Sequence, residues 1–143
     1  VLQMPNFVMT ARQIEGQFPN YDAVIPKAHP KKMVIGRGAL AAALRRVSVM
    51  AEERNKLVKF TLNPASLRLS ASSQELGEAE EVLDVDYAGE EIVIGFNSRY
   101  VLDAIAAIEK EQVVLELKDS QSAGVIKSIE DEGYCCVIMP MRT

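Results

Sequence analysis

Apolar residues recur along this chain in two rhyming stretches. "MVIGRGALAAALRRV", beginning at Met33, opens on a short β-branched run and passes into Leu40, Leu44 and Val47. That is the i, i+4, i+7 spacing of one buried helical stripe. "IVIGFNSRYVLDAIAAI", beginning at Ile92, repeats the arrangement with Val101, Ile105 and Ile108. Val-Ile-Gly closes the strand both times, at 34–36 and at 93–95. Asn97 or Ser98 can cap the second helix.

Three strand-like runs follow each helix. The first set is Leu57–Leu62, Leu67–Ala71 and Val82–Tyr87, with turns at "NPAS" and around "SQELGEA". The second is Val113–Leu117, Gly124–Ile129 and Tyr134–Met139, with turns at "DSQSAG" and "EDEG". The order is β-α-β-β-β, twice, without the strict alternation of a parallel α/β fold. It predicts an α+β domain, an antiparallel sheet with two helices on one face. Residues 1–26 stand outside the repeat. Phe7–Ala11 reads as a strand, "EGQFPNY" as a loop and Pro26–Pro30 as a linker. This opening reads as the tail of an earlier domain, without a helix or partner strands of its own. The expected division is 1–26 and 27–143, in a chain that looks cut from something longer.

Composition adds bounds rather than chemistry. Of the 143 residues 48% are apolar and 25% charged, the balance of a folded soluble domain. No apolar run approaches the roughly 20 residues of a membrane span, and no basic-then-apolar signal segment opens the chain. The two cysteines, Cys135 and Cys136, are adjacent and cannot cross-link distant segments. A reducing, cytoplasmic location is expected. The net charge of −4 is unevenly spread. Lys31–Lys59 holds eight Lys or Arg against two Glu, whereas Leu69–Ser98 holds eight Asp or Glu and no Lys or Arg. Such blocks suit a phosphate-tolerant face and an opposite one, and they describe two solvated faces equally well.

Candidate chemistry is sparse. Gly36-x-Gly38-x-x-Ala41 between a strand and a helix invites a dinucleotide-binding reading. The following strand ends at Leu62-Asn63, without the acidic residue a ribose needs, and hairpins replace the second β-α-β unit. His29, the single histidine, reads as a solvated linker residue. With no second histidine and no spaced cysteines, neither a zinc site nor Ser-His-Asp catalysis is expected. Cys135 and Cys136 alternate faces of a strand, so at least one behaves as a small core residue. The carboxylates Glu75, Glu78, Glu80 and Glu81 lack a paired base and read as a solvated or interface edge. Arg37, Arg45, Arg46 and Arg99 lie at or near the two helices, away from the apolar stripe. They could line a phosphate backbone or simply face solvent. The chain closes on "YCCVIMPMRT". Alternation puts Tyr134, Cys136 and Ile138 on one face and Cys135, Val137 and Met139 on the other. One set suffices for a core, so the other is surplus apolar surface of the kind that marks a partner site.

"ARQIEGQFPNYDAVIP", "EEVLDVDY", "IGFNSRYVLDAI" and the terminal "VIMPMRT" together resemble the bacterial DNA polymerase III β subunit family, the sliding clamps. The resemblance implies a non-catalytic, cofactor-free protein of three like domains per subunit. Two subunits close into a ring around duplex DNA. It implies that 27–143 is the third domain and 1–26 the last strands of the second. Basic helices line the hole, a role that would fall to Arg37, Arg45, Arg46 and Arg99. Val49, Met50, Glu75 and Glu81 fall where the third domain meets the other subunit. A peptide pocket in such clamps receives Gln-Leu-Phe-type motifs from polymerase, clamp loader and repair proteins. Matching positions here are Pro19, Val24, Asn97, Tyr100, Val137, Ile138, Met139, Pro140, Met141 and Arg142. The chain departs from many relatives at Ala23, near Asn55 and at Thr143, which bears on motif preference.

Overall fold

The computed structural model describes residues 1–18, 20, 21, 24–26, 29–129 and 133–143. Alternating burial builds the strands. In β4 (Leu57–Asn63) Val58, Phe60 and Leu62 are buried, and in β5 (Ser66–Ser73) Leu67, Leu69 and Ala71 are buried, while the residues between them face outward. β3 (Lys31–Gly36) and β8 (Gln112–Leu117) behave alike, burying Met33, Ile35, Val113 and Leu115 on the core side. α1 (Arg37–Val47) buries Leu40, Ala43, Leu44 and Val47, and α2 (Ser98–Ala106) buries Val101, Ala104 and Ile105. The expected stripes are therefore the core faces. Arg45 and Arg46 in the last turn of α1 complement the helix dipole. Asn97 caps α2, its side chain accepting the Arg99 N–H at 2.9 Å.

The remaining elements are β6 (Gly77–Asp84), β7 (Ile92–Asn97), β9 (Gly124–Ser128) and β10 (Cys135–Ile138), with a 3-10 turn at Ser48–Met50 after α1. The expected antiparallel sheet is divided into two sheets of four strands, in the orders β10-β9-β8-β3 and β6-β5-β4-β7. All pairings within them are antiparallel. Each unit's leading strand joins the other unit's sheet: β3 pairs with β8, and β7 with β4. The helices pack on each other and straddle both sheets, α1 over β3, β5 and β6, and α2 over β7 and β10.

Two short bridges close the exchange. Beyond β6, Asp86 pairs with Val34 of β3, each N–H donating to the other's carbonyl at 3.0 Å. Beyond β10, Met141 pairs with Gly95 of β7, its N–H donating to the Gly95 carbonyl at 2.8 Å. The C-terminal tail thus does for the second unit what residues 85–87 do for the first. At the centre Phe60 and Phe96 meet edge to face, centroids 5.4 Å apart. Gly124 of β9 is required there, since a Cβ on it would lie 2.8 Å from the Phe96 ring.

Three expectations are corrected. The third strand of the first unit is Gly77–Asp84, not Val82–Tyr87. Its hairpin is set by Gly77 at φ 94° and by the Ser73 hydroxyl, which accepts the Glu75 and Leu76 N–H groups. The N-terminal segment does have a partner strand, because β1 (Leu2–Met4) pairs with β2 (Phe7–Met9). That hairpin leaves Leu2, Met4, Phe7, Val8 and Met9 exposed. His29 is buried at 6% exposure with Nδ1 unpaired, so it is not a solvated residue despite lying between strands. The turn expected at "EDEG" falls largely on residues 130–132, outside the described residues.

Candidate partner-docking site

β10 is the last strand of its sheet, and α2 lies across its core-side face. Between them an open groove is lined by Tyr100, Asp103 and Ala104 of α2 and by Tyr134, Cys136, Val137, Ile138 and Met139. Tyr100, Asp103 and Ala104 fall together because residues three and four apart share a helix face. Tyr100 and Met139 are 60% and 67% exposed, large apolar surface with no cover among the described residues. Tyr134 anchors the wall by donating its hydroxyl to the Ala104 carbonyl at 2.7 Å. Burial pushes the Tyr134 hydroxyl and the Cys136 thiol above their ordinary pKa ranges. Both therefore stay neutral at physiological pH, which suits apolar recognition and not nucleophilic chemistry.

The expected alternation along the closing strand holds except at Val137, expected on the outer face and half-buried here. Ile138 is buried, Tyr134 and Cys136 pack against the core, and Cys135 and Met139 are exposed. Beyond Met139 the tail turns to β7. There Pro140, Met141 and Arg142 line a second depression with Val93, Gly95, Ser120, Gln121 and Thr143. Gly95 makes this course possible, since a Cβ on it would lie 2.8 Å from the Met141 carbonyl oxygen and 2.7 Å from Thr143. The tail residues singled out from sequence therefore border two depressions, one on each side of the chain end.

Asn97 lines neither depression. It caps α2 and donates from Nδ2 to the Asn55 carbonyl at 3.1 Å, fixing the turn that enters β4. Val24 is exposed in a turn closed by its N–H to the Tyr21 carbonyl and also lines neither. Pro19 and Ala23 lie outside the described residues. Asp103, Ala104, Tyr134 and Cys136 were missed as groove residues. Asp103 and Ala104 were readable as the face shared with Tyr100. Tyr134 and Cys136 pack against the core and, because they stand on an edge strand, also show a flank to the groove.

The arginines part company. Arg46 makes a two-pronged pair with Glu81 on β6, and each group's hydrogen bond to the other holds the guanidinium above and the carboxyl below its usual range. This pair joins a residue expected to face DNA with one expected at a subunit contact. Arg37 donates from Nε to the Lys110 carbonyl at 3.0 Å, and Arg99 sits 4.0 Å from Asp103. Arg45 is exposed on α1. Val49 is 65% exposed and Met50 half-buried on the 3-10 turn, which packs against β5 and β6, while Glu75 is exposed in the turn before β6.

Gly36 and Gly38 fall outside the strand arrangement a dinucleotide site needs. β3 runs antiparallel to its neighbour β8, so Gly36 and Gly38 do not stand in a parallel β-α-β unit. Among the described residues no group of three or more His, Cys, Asp or Glu is placed to hold a metal.

A family model described as the C-terminal domain of the DNA polymerase III beta subunit matches residues 22–142. The chain belongs to the DNA polymerase III beta subunit family. It is 38% identical to the beta sliding clamp of Haemophilus influenzae over 141 residues, 99% of this chain and 38% of that protein. It is 36% identical to the Escherichia coli K12 clamp over 137 residues, 96% of this chain and 37% of that one. The crystal structure of the Pseudomonas aeruginosa DnaN sliding clamp bound to griselimycin superposes with a TM-score of 0.88 at 34% identity, over 90% of this chain and 35% of that one. The Caulobacter (C. crescentus) clamp, with polyethylene glycol bound at a proposed beta-motif tethering region, gives 0.88 at 35% identity over 91% of this chain and 35% of its own. The chain thus spans little more than a third of the length of these clamp relatives, and the antiparallel, twice-repeated α+β fold is the clamp fold.

Proposed function

We propose that this chain is a module of a DNA sliding clamp, a non-catalytic processivity factor. In the assembled ring it would encircle duplex DNA and tether replicative polymerase, clamp loader and repair proteins through short linear motifs. The observation that carries the reading is the exposed apolar groove between α2 and β10, continuous with a tail held across β7. Apolar anchors in such a groove supply most of the affinity for a short peptide. Tyr100, Val137, Ile138 and Met139 are the anchors' receptors, and Pro140, Met141 and Arg142 extend the site around the tail. Asn97 holds the α2 wall. Pro19 and Val24 would complete the site from the N-terminal segment.

On the same reading residues 27–143 are the third clamp domain and 1–26 the terminal strands of the second. The apolar β1–β2 hairpin, exposed here, suits strands that belong to a larger sheet. Arg37, Arg45 and Arg99 are the candidates to face the DNA backbone. Arg46, already committed to Glu81, belongs with Val49, Met50, Glu75 and Glu81 at the contact with another subunit. A homodimeric ring working in the bacterial cytoplasm on replicating DNA completes the proposal.

A fluorescent Gln-Leu-Phe-type peptide tests it. The peptide should bind this chain measurably, and Met139→Ala or Tyr100→Ala should each weaken it by about 1–3 kcal/mol. Undiminished binding by both variants would count against the groove.

A further inference from the structure

Tyr100 stands in the first turn of α2, so the helical wall of the groove is placed by whatever holds the start of that helix. Two hydrogen bonds from outside the helix do so. The Ser98 N–H donates to the Lys56 carbonyl at 2.9 Å, and Asn97 Nδ2 donates to the Asn55 carbonyl at 3.1 Å. Both acceptors belong to the turn that enters β4, whose first residue, Leu57, lies opposite Asn97 in the sheet. The aim of the two carbonyls depends on Lys56, which stands at φ 51°, a left-handed conformation that disfavours a Cβ. The Asn55 side chain supplies the constraint that holds it there. Asn55 Oδ1 accepts the Leu57 N–H at 3.0 Å, spanning Lys56, and Nδ2 donates to Glu52 Oε2 at 3.3 Å. Asparagine favours such side-chain turns. The Lys56 N–H closes the turn by donating to the Glu52 carbonyl at 2.9 Å. Asn55 itself is half-buried and lines neither the α2–β10 groove nor the depression beside Pro140–Arg142.

We propose that Asn55 is a positioning residue for partner docking. By holding Lys56 left-handed it aims the Asn55 and Lys56 carbonyls at the start of α2, and so sets Tyr100 against the closing strand. The inference rests on the docking reading above and adds a determinant that touches no partner. A side chain that only stabilised the fold would change the fraction of folded chain. One that places Tyr100 changes the affinity of the chain that is already folded.

Fluorescence anisotropy with the Gln-Leu-Phe peptide, on the whole chain well below each variant's melting transition, separates the two. Asn55→Ala should weaken binding about fivefold, and hydrogen exchange at the Ser98 amide should quicken with it. Asn55→Asp combined with Glu52→Gln keeps Oδ1 and reverses the donor of the second bond, so it should bind within about twofold of the parent. Glu116→Gln removes an ion pair away from the groove and should leave affinity unchanged while lowering the melting temperature. Undiminished binding by Asn55→Ala, with Met139→Ala still weakened, would overturn the proposal and leave the docking site standing. An equal loss in Glu116→Gln would assign the effect to stability and overturn it. A loss that the paired variant does not recover would overturn the role given to Oδ1. Failure of the parent chain to bind the peptide would remove the docking reading, and this proposal with it.

Discussion

Ala65 sits at φ 61°, a left-handed conformation that disfavours a Cβ, in the Pro64-Ala65 turn between β4 and β5. Its N–H donates to the Tyr87 carbonyl and its carbonyl accepts from Val85, which fixes the conformation. Ala65→Gly should therefore stabilise the fold by a few tenths to about 1 kcal/mol in urea denaturation. Glu116 is a second residue whose surroundings decide its behaviour. Burial alone would push its carboxyl up, but hydrogen bonds from Lys127 at 2.8 Å and from Lys32 at 3.2 Å outweigh burial and hold it below the usual range. A carboxyl lowered by folding stabilises above its unfolded value, and that contribution is lost as pH falls through the folded value. Glu116→Gln should cost about 1 kcal/mol at pH 7, limited because Lys32 is mostly in solvent. Melting curves down the carboxylate range should show the gap between variant and parent closing. The vicinal cysteines give a third reading. Cys135 is exposed and Cys136 half-buried with a raised thiol, so iodoacetamide should label Cys135 first by mass spectrometry, with Cys136 at least several-fold slower. That one of this pair packs as a core residue was legible from strand alternation. The burial of His29 was not, because proline and lysine neighbours describe a loop and not what lies over it.

At the scale of elements, the helical stripes and most strand positions followed from periodicity, since burial of one face leaves a direct trace in sequence. β6 was misplaced for a physical reason. Glu81 occupies an inward position of that strand, breaking the alternation, and is made tolerable by Arg46 of α1, a partner 35 residues away. The exchange of leading strands was not legible at all. Alternation says which face is buried and nothing about which strand lies alongside. The Gly95–Met141 bridge is where that exchange meets the proposed docking site. Gly95→Ala should push the tail off β7, lowering stability by about 1–3 kcal/mol in thermal or urea unfolding and weakening motif-peptide binding together with it. Gly38→Ala, where an added Cβ meets no atom within 4 Å, is the matched control and should leave both unchanged or slightly improved.

At the scale of the molecule, the two charge blocks are in part paired with each other. Arg46 from the basic block is spent on Glu81 from the acidic one, which draws α1 onto the β6 edge. Arg45 and Arg99 remain outward on the two helices. On the proposed reading enclosure replaces tight phosphate contacts, so the chain's affinity for linear duplex should be weak at physiological salt. The central claim, that the α2–β10 groove is the docking site, is most directly tested by amide chemical-shift mapping of a Gln-Leu-Phe peptide on the labelled chain. The account predicts the largest shifts at Tyr100, Asp103, Ala104 and Val137–Met139, with the tail through Arg142 following. Shifts centred instead on Gly36–Ala41 or on β6, with the closing strand unmoved, would contradict it.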